Sequence, residues 1–268
     1  MEISQRENLF KLAKCGGFKF TDKWFPYTSG WIGPYYVQSM DICKTGLSFQ
    51  TAIHGITEIV EGIIFNSGEA IDVISGGESR DWPFSFPIAD NLGIAPLMIY
   101  KDGKKFGPDL KGKRVLHIAD LNNEGSSPRD KWIPAIRNAG GIITDIVFFV
   151  DRLEDGVQVM KDLGLKSHAV ISLNEESWNF LKENDFINQE ILDSLLNYWK
   201  DRKAWGIKKL LEHPEILLDM LKKEKEAGLS LKNSKGFKIF DIFYPLIGEE
   251  LPKTLGFENE EEFKKNFI

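Results

Sequence analysis

From Ala70 to Ser172 short apolar runs alternate with helix-patterned segments, and this alternation leaves the chain few architectures. "AIDVISGG", "APLMIY", "KRVLHIAD" and "ITDIVFFVDR" each hold an apolar run of strand length, bounded by glycine or charge. Between them "FSFPIADNLG" and "RDKWIPAIRNAGG" read as helices, the second with a glycine stop. Parallel strands need crossover connections, so this order predicts βαβ units and a largely parallel sheet, an α/β fold. Upstream, residues 44 to 65 space apolar groups three and four apart, which predicts a helix leading to Gly68. Downstream, "HAVISLNEESWNFLKEN" adds a strand and a helix. From about residue 187 the pattern is helical, and "PEILLDMLKKEKEAG" has Pro214 near its start and Gly228 past its end. The expected division is a sheet domain over 1–186 and a helical C-terminal extension over 187–268.

Composition narrows the partners. A formal charge of −6 and a pI near 5.4 argue against a broad nucleic-acid or anionic-membrane surface, which would select a basic face. No apolar run approaches the ~20 residues that cross a bilayer, and "MEISQRENLF" lacks the apolar centre of a secretion signal. The expectation is a cytoplasmic protein with neither nucleic acid nor membrane as partner. Cys15 and Cys43 have no CxxC or histidine spacing and read as reduced thiols without a role.

Ligands of open parallel sheets bind beyond the carboxyl ends of the strands. There this chain places its polar and glycine-rich stretches: "SGGESRDW", "KDGKKFG", "DLNNEGSS" and "DRLEDG". Asn123, Glu124, Gly125, Ser126 and Ser127 follow a strand and precede a helix; small residues there let backbone amides approach an anion, and the helix start adds favourable partial charge. A phosphate suits such a loop, but an ordinary strand-to-helix turn has the same composition, and both readings stand. Neither GxxxxGK[ST] nor GxGxxG is present.

"VLHIADLNNEGSS" resembles the phosphoribosyl-pyrophosphate motif of type I phosphoribosyltransferases, in which an apolar strand delivers two adjacent acids and then a small loop around the 5-phosphate. "TSGWIGPYYVQ", "YKDGKKFG", "FFVDRLEDG" and "AVISLNEESWNFL" are similar, in the same order, to segments of the orotate phosphoribosyltransferases, and together cover roughly residues 8 to 184. The resemblance implies the parallel-sheet type I phosphoribosyltransferase fold, with the helical extension outside it. It implies transfer of ribose 5-phosphate from phosphoribosyl pyrophosphate to a nucleobase, orotate or a related ring, with Mg²⁺ as cofactor and a homodimer as the assembly.

As the bond to pyrophosphate breaks, the ribose gains positive character and the leaving group negative charge, so an acid belongs below the ribose and cations around the diphosphate. Asp120 takes the first role and that of metal ligand, or else caps the following turn. Lys104, placed with Asp120 as catalytic, and Lys101 and Arg80 take the second; the lysines also read as solvated loop charges. Gly76 and Gly77 permit tight backbone in the pyrophosphate loop. Arg152 matches the arginine associated with the base site, or forms a strand-end ion pair with Asp151. Tyr35 and Tyr36 stack a planar base or pack in a core. The chain departs from the family at Ala119, where the first acid of the pair stands, and at Thr28, Tyr100 and Phe106, where the family carries lysine, arginine and histidine; Glu124 adds a carboxylate to the phosphate loop, and the loop from Gly107 to Lys111 is short. A non-catalytic module that binds phosphorylated ribose is the alternative reading.

Overall fold

A computed structural model describes residues 1–230 and 234–267; residues 231–233 and 268, which the expected helical extension includes, lie outside them. The chain divides into two compact units, one of residues 1–17 and 38–184, the other of residues 18–37 and 185–268. The expected division at 186 separates the sheet from the C-terminal helices, yet the segment 18–37 goes with the helices.

The first unit is built on a six-stranded sheet. Its strands are β3 (Val73–Gly77), β4 (Ala95–Ile99), β5 (Lys105–Phe106), β6 (Val115–Asn122), β7 (Asp145–Asp151) and β8 (Lys166–Ser172), numbered after the hairpin strands β1 (Phe18–Pro26) and β2 (Ile32–Val37). The spatial order is β5-β4-β3-β6-β7-β8, parallel except for the short β5, which runs antiparallel to β4. All seven residues of β7, "DIVFFVD", are buried, as expected of a central parallel strand covered on both faces. On one face Val73, Val115, Ile146 and Phe148 pack under Trp132, Ile133 and Ile136; elsewhere in this core Phe84 stacks on Phe149 with ring centroids 5.1 Å apart.

Helices α1 (Ile3–Lys14) and α2 (Gly46–Ser67) precede the sheet strands, and α3 (Trp82–Leu92), α4 (Ile133–Asn138), α5 (Asp155–Asp162) and α6 (Glu175–Glu183) follow β3, β6, β7 and β8. The expected helix over 44–65 is α2, which starts slightly later because residues 39–44 form a 3₁₀ turn. The Thr45 hydroxyl accepts the Ser48 N–H at 3.1 Å to cap it, and Gly68 ends it in the left-handed conformation at φ 65°. Ahead of α4 the residues Pro128–Trp132 form a π-helical turn.

The second unit consists of the β1–β2 hairpin and α7 (Gln189–Lys200), α8 (Arg202–Glu212), α9 (Pro214–Glu226), α10 (Lys235–Ile247), α11 (Glu250–Thr254) and α12 (Glu260–Phe267). Its core is aromatic. Tyr35 on β2 meets Tyr198 edge to face with centroids 6.1 Å apart, and Tyr198 meets Trp205 in the same way at 5.3 Å. The Trp24 indole N–H donates to the His213 carbonyl at 3.2 Å. Gly206 has no side chain because the Phe243 ring occupies that space, 2.9 Å from where a Cβ would stand.

Candidate active site

The β3–β6 ladder ends at the pair Ser75↔His117, although both strands continue. Beyond it lies a cleft of about 290 Å³ lined by Glu78, Arg80, Lys101, Asp120, Ser127 and Trp132 among others. These come from the ends of β3, β4 and β6 and from the turn after β6, so three of the four expected loops converge. The arginine and lysine are exposed, whereas Asp120 is almost fully buried.

Asp120 is the one acid of β6, whose other polar residues are the buried His117 and Asn122. Its Oδ2 accepts the Ser39 hydroxyl at 2.6 Å. Burial, reinforced by the nearby Asp81 carboxylate, pushes its pKa up to about 7, and the Ser39 hydrogen bond and the Arg80 charge only partly oppose this. Arg80 therefore acts on Asp120 as well as facing the cleft. Ala119, also a lining residue, leaves Asp120 as the only acid that this strand turns toward the cleft.

Gly76 and Gly77 belong to β3 itself, and neither has a left-handed φ. Their need is space: a Cβ on Gly76 would lie 2.3 Å from the Ser85 hydroxyl, and one on Gly77 would lie 2.2 Å from the Trp132 ring. The tight backbone expected at these glycines is thus close packing against Ser85 and Trp132. The peptide bond between Glu78 and Ser79 is cis. The Glu78 side chain accepts the Lys101 N–H at 2.8 Å, which ties the first loop to the second.

That second loop is a tight turn rather than an open one. The Tyr100 N–H donates to the Lys104 carbonyl at 2.9 Å, and Gly103 sits at φ 86°. Tyr100 packs edge to face on both Trp82 and Phe106. Lys101 lines the cleft, while the Lys104 ammonium lies 3.1 Å from Asp102 and is not among the lining residues. The Lys104 N–H and ammonium hold the exposed Asp102 carboxyl below its usual range.

Of the loop after β6, Ser127 reaches the cleft and Asn123, Glu124, Gly125 and Ser126 do not line it. The loop is braced from behind by α5. The Gly156 N–H donates to the Asn123 carbonyl at 2.9 Å, and Gly125, at φ 65°, lies where a Cβ would be 2.9 Å from both Met160 and Val159. Ser126 and Ser127 are exposed at the start of a helical turn, where backbone N–H groups have no acceptor one turn earlier. Glu124 is half-buried, and Asn123 Oδ1 is buried without a hydrogen-bond partner among the described residues.

Arg152 is buried and donates to Glu154 at 2.8 Å. The ion pair is therefore with Glu154, and Asp151 accepts instead from Asn122 at 3.1 Å and from the Leu153 N–H at 2.7 Å. Burial raises the Asp151 pKa. Tyr35 is fully buried, so stacking on a base is closed to it; Tyr36 is the exposed one of the pair at 42%. Both stand in the second unit, as does Thr28.

Three residues of this region went unread in the sequence. Ser39 arrives on a 3₁₀ turn that apolar spacing does not mark, His117 is a buried polar group within β6, and Asp81 is a buried acid at the start of α3. A histidine within the run "VLHIAD" was the available signal.

The strand order, the crossovers and a cleft at the carboxyl ends define a class of fold, and solved structures share it. The chain superposes on Leishmania donovani UMP synthase with a TM-score of 0.64 and 19% identity, over 72% of this chain and 42% of that one. On the orotate phosphoribosyltransferase of Francisella tularensis the TM-score is 0.57 with 21% identity, over 72% of this chain and 96% of the other. The fold is that of the type I phosphoribosyltransferases, with extra C-terminal helices. Within that class the chain is similar in sequence to the orotate phosphoribosyltransferases: it is 26% identical over 209 residues to the one from Ruegeria sp. (strain TM1040), covering 72% of this chain and 88% of that protein. No family model matches the chain.

Proposed function

We propose that this protein is a phosphoribosyltransferase that uses phosphoribosyl pyrophosphate and transfers its ribose 5-phosphate to orotate or a related base. The observation that carries the reading is the single cleft that gathers Arg80, Lys101, Asp120 and Ser127 from three strand ends. The similarity to proteins named orotate phosphoribosyltransferase supports the choice of chemistry. In this reading Asp120 faces the ribose as positive charge develops there, Arg80 and Lys101 meet the departing diphosphate, and the turn at Ser126 and Ser127 receives the 5-phosphate. Among the described residues no three ligating side chains cluster. Mg²⁺ is commonly held by one or two carboxylates together with substrate phosphates, and Asp120, in the cleft lining, is the residue that would hold it. When bound, the ion neutralises charge on the diphosphate.

One observation favours the non-catalytic alternative: Lys104 is paired with Asp102 outside the cleft. A pyrophosphate-release assay across orotate, uracil, hypoxanthine and adenine, with Arg152→Ala alongside, decides. Orotate turnover lost in the variant supports the assignment. A faster neutral base indifferent to Arg152 replaces orotate, and donor binding without turnover on any base establishes the non-catalytic module.

The proposal includes a homodimer, for which Leu47 and Phe65, exposed at 69% and 86% on α2, supply apolar surface. Sedimentation at micromolar protein should show a species above 30.5 kDa. Among the described residues no helix is long and apolar enough to cross a membrane.

A further inference from the structure

Asp81 occupies the residue before α3, a position where an aspartate ordinarily accepts an N–H from its own helix. Here it does not: the side chain makes no capping hydrogen bond, and the Phe84 N–H that it would take bonds the Asp81 backbone carbonyl at 3.1 Å instead. The carboxylate turns into the sheet and is 6% exposed. Its Oδ2 accepts the Gly77 N–H at 2.9 Å and its Oδ1 accepts the Asp120 N–H at 3.0 Å.

Those amides belong to neighbouring strands beyond the point where their ladder stops at Ser75↔His117. One carboxylate thus closes the gap that opens between β3 and β6, where two buried donors would otherwise lack acceptors. A second row stands behind it. His117 is fully buried, its Nδ1 lies 2.9 Å from the Ser75 hydroxyl, and its Nε2 faces Asp81 Oδ2 at 3.5 Å. Nε2 makes no hydrogen bond among the described residues, and the Ser75 hydroxyl also donates to the Leu116 carbonyl at 3.4 Å. The order serine, histidine, aspartate is that of a nucleophilic triad, but Ser75 is 0% exposed and meets no substrate.

We propose that Asp81 is a positioning residue of the donor cleft: its carboxylate clamps the Gly77 and Asp120 amides together and so fixes the spacing between the pyrophosphate loop and the ribose-facing acid. It bonds two backbone amides from within the cleft lining, and acts on the donor through the two strand ends it joins. The donor is that of the proposed function, and on that reading the effect on affinity rests.

Asp81→Asn keeps the volume but presents one acceptor oxygen and an NH₂ to two donor amides, so one arm of the clamp is lost. Amide hydrogen exchange followed by NMR on wild type and variant, beside calorimetry with phosphoribosyl pyrophosphate and Mg²⁺, is the test. In the wild type, Gly77 and Asp120 should be as protected as the ladder amides of residues 115–117. In the variant those two amides should shift and exchange faster while 115–117 do not, and the donor dissociation constant should rise about tenfold. Equal protection of Gly77 and Asp120 in both proteins overturns the proposal, as does their rapid exchange in the wild type, a result that needs no folded variant. Donor affinity unchanged to within about twofold also overturns it. If the wild type itself gives no heat with donor, the proposed function has failed and the amide signals alone decide the clamp.

Discussion

Asp120 is an acid kept where its charged form is disfavoured, and the sign of the consequence can be worked out. An unfolded chain releases this proton near pH 4 and the folded one near 7. Between those values the native state holds more protons, so stability falls as pH rises through the window and levels off above it. Asp120→Asn removes the penalty: near pH 8 the variant should be more stable than wild type by on the order of a few kcal/mol, with the difference gone near pH 4. Denaturant titrations at the two ends of the window check this, and a parallel pH dependence in both proteins would refute it. Gly77 supports a second expectation at this scale. A Cβ placed 2.2 Å from the Trp132 ring forces ring or strand to move, so Gly77→Ala should cost about 1–3 kcal/mol and lower the melting temperature.

At the scale of elements, the loop after β6 owes its form to α5 as much as to its own residues. Gly125→Ala would combine a left-handed φ of 65° with contacts at 2.9 Å to Val159 and Met160. The expected outcome is a destabilisation of about 1–3 kcal/mol and weaker donor binding, read by calorimetry. Strands β3, β6 and β7 were legible in the sequence because parallel strands covered on both faces are nearly continuous apolar runs, and β4, with Ala95 and Pro96 exposed, was legible from its apolar run alone. Asp120 and Ser127 were legible with them, since residues just past such a run must lie at the strand's carboxyl end. The hairpin was not: Phe18 and Phe20 share one face and stack with ring centroids 5.8 Å apart, but the register shifts between Phe20 and Phe25 and breaks the period of two. Asp81 was illegible for another reason. "RDWP" marks a helix entry, and whether its acid caps that helix or turns to the strands depends on where a ladder ends, which no local pattern records. Tyr35 beside Pro34 allows base stacking or core packing, and only the partner Tyr198, far along the chain in the same aromatic core, decides for the core.

For the whole molecule, the assignment of residues 18–37 to the second unit changes what a shortened protein would be. A chain cut after residue 186 keeps the hairpin but loses Tyr198, Trp205 and His213, against which Tyr35 and Trp24 are buried or bonded. Tyr35, now 0% exposed, and Trp24, at 2%, would lose their cover. The truncated protein should be aggregation-prone, and its soluble yield against that of the full chain measures this. The same discontinuity bears on synthesis. A ribosome delivers the hairpin early and its partners last, so the two strands spend most of translation without the surface that completes them. Hydrophobic side chains so delayed are what holdase chaperones bind, and the order of appearance makes the emerging N-terminal hairpin, rather than the sheet that follows it, the stretch most dependent on such shelter.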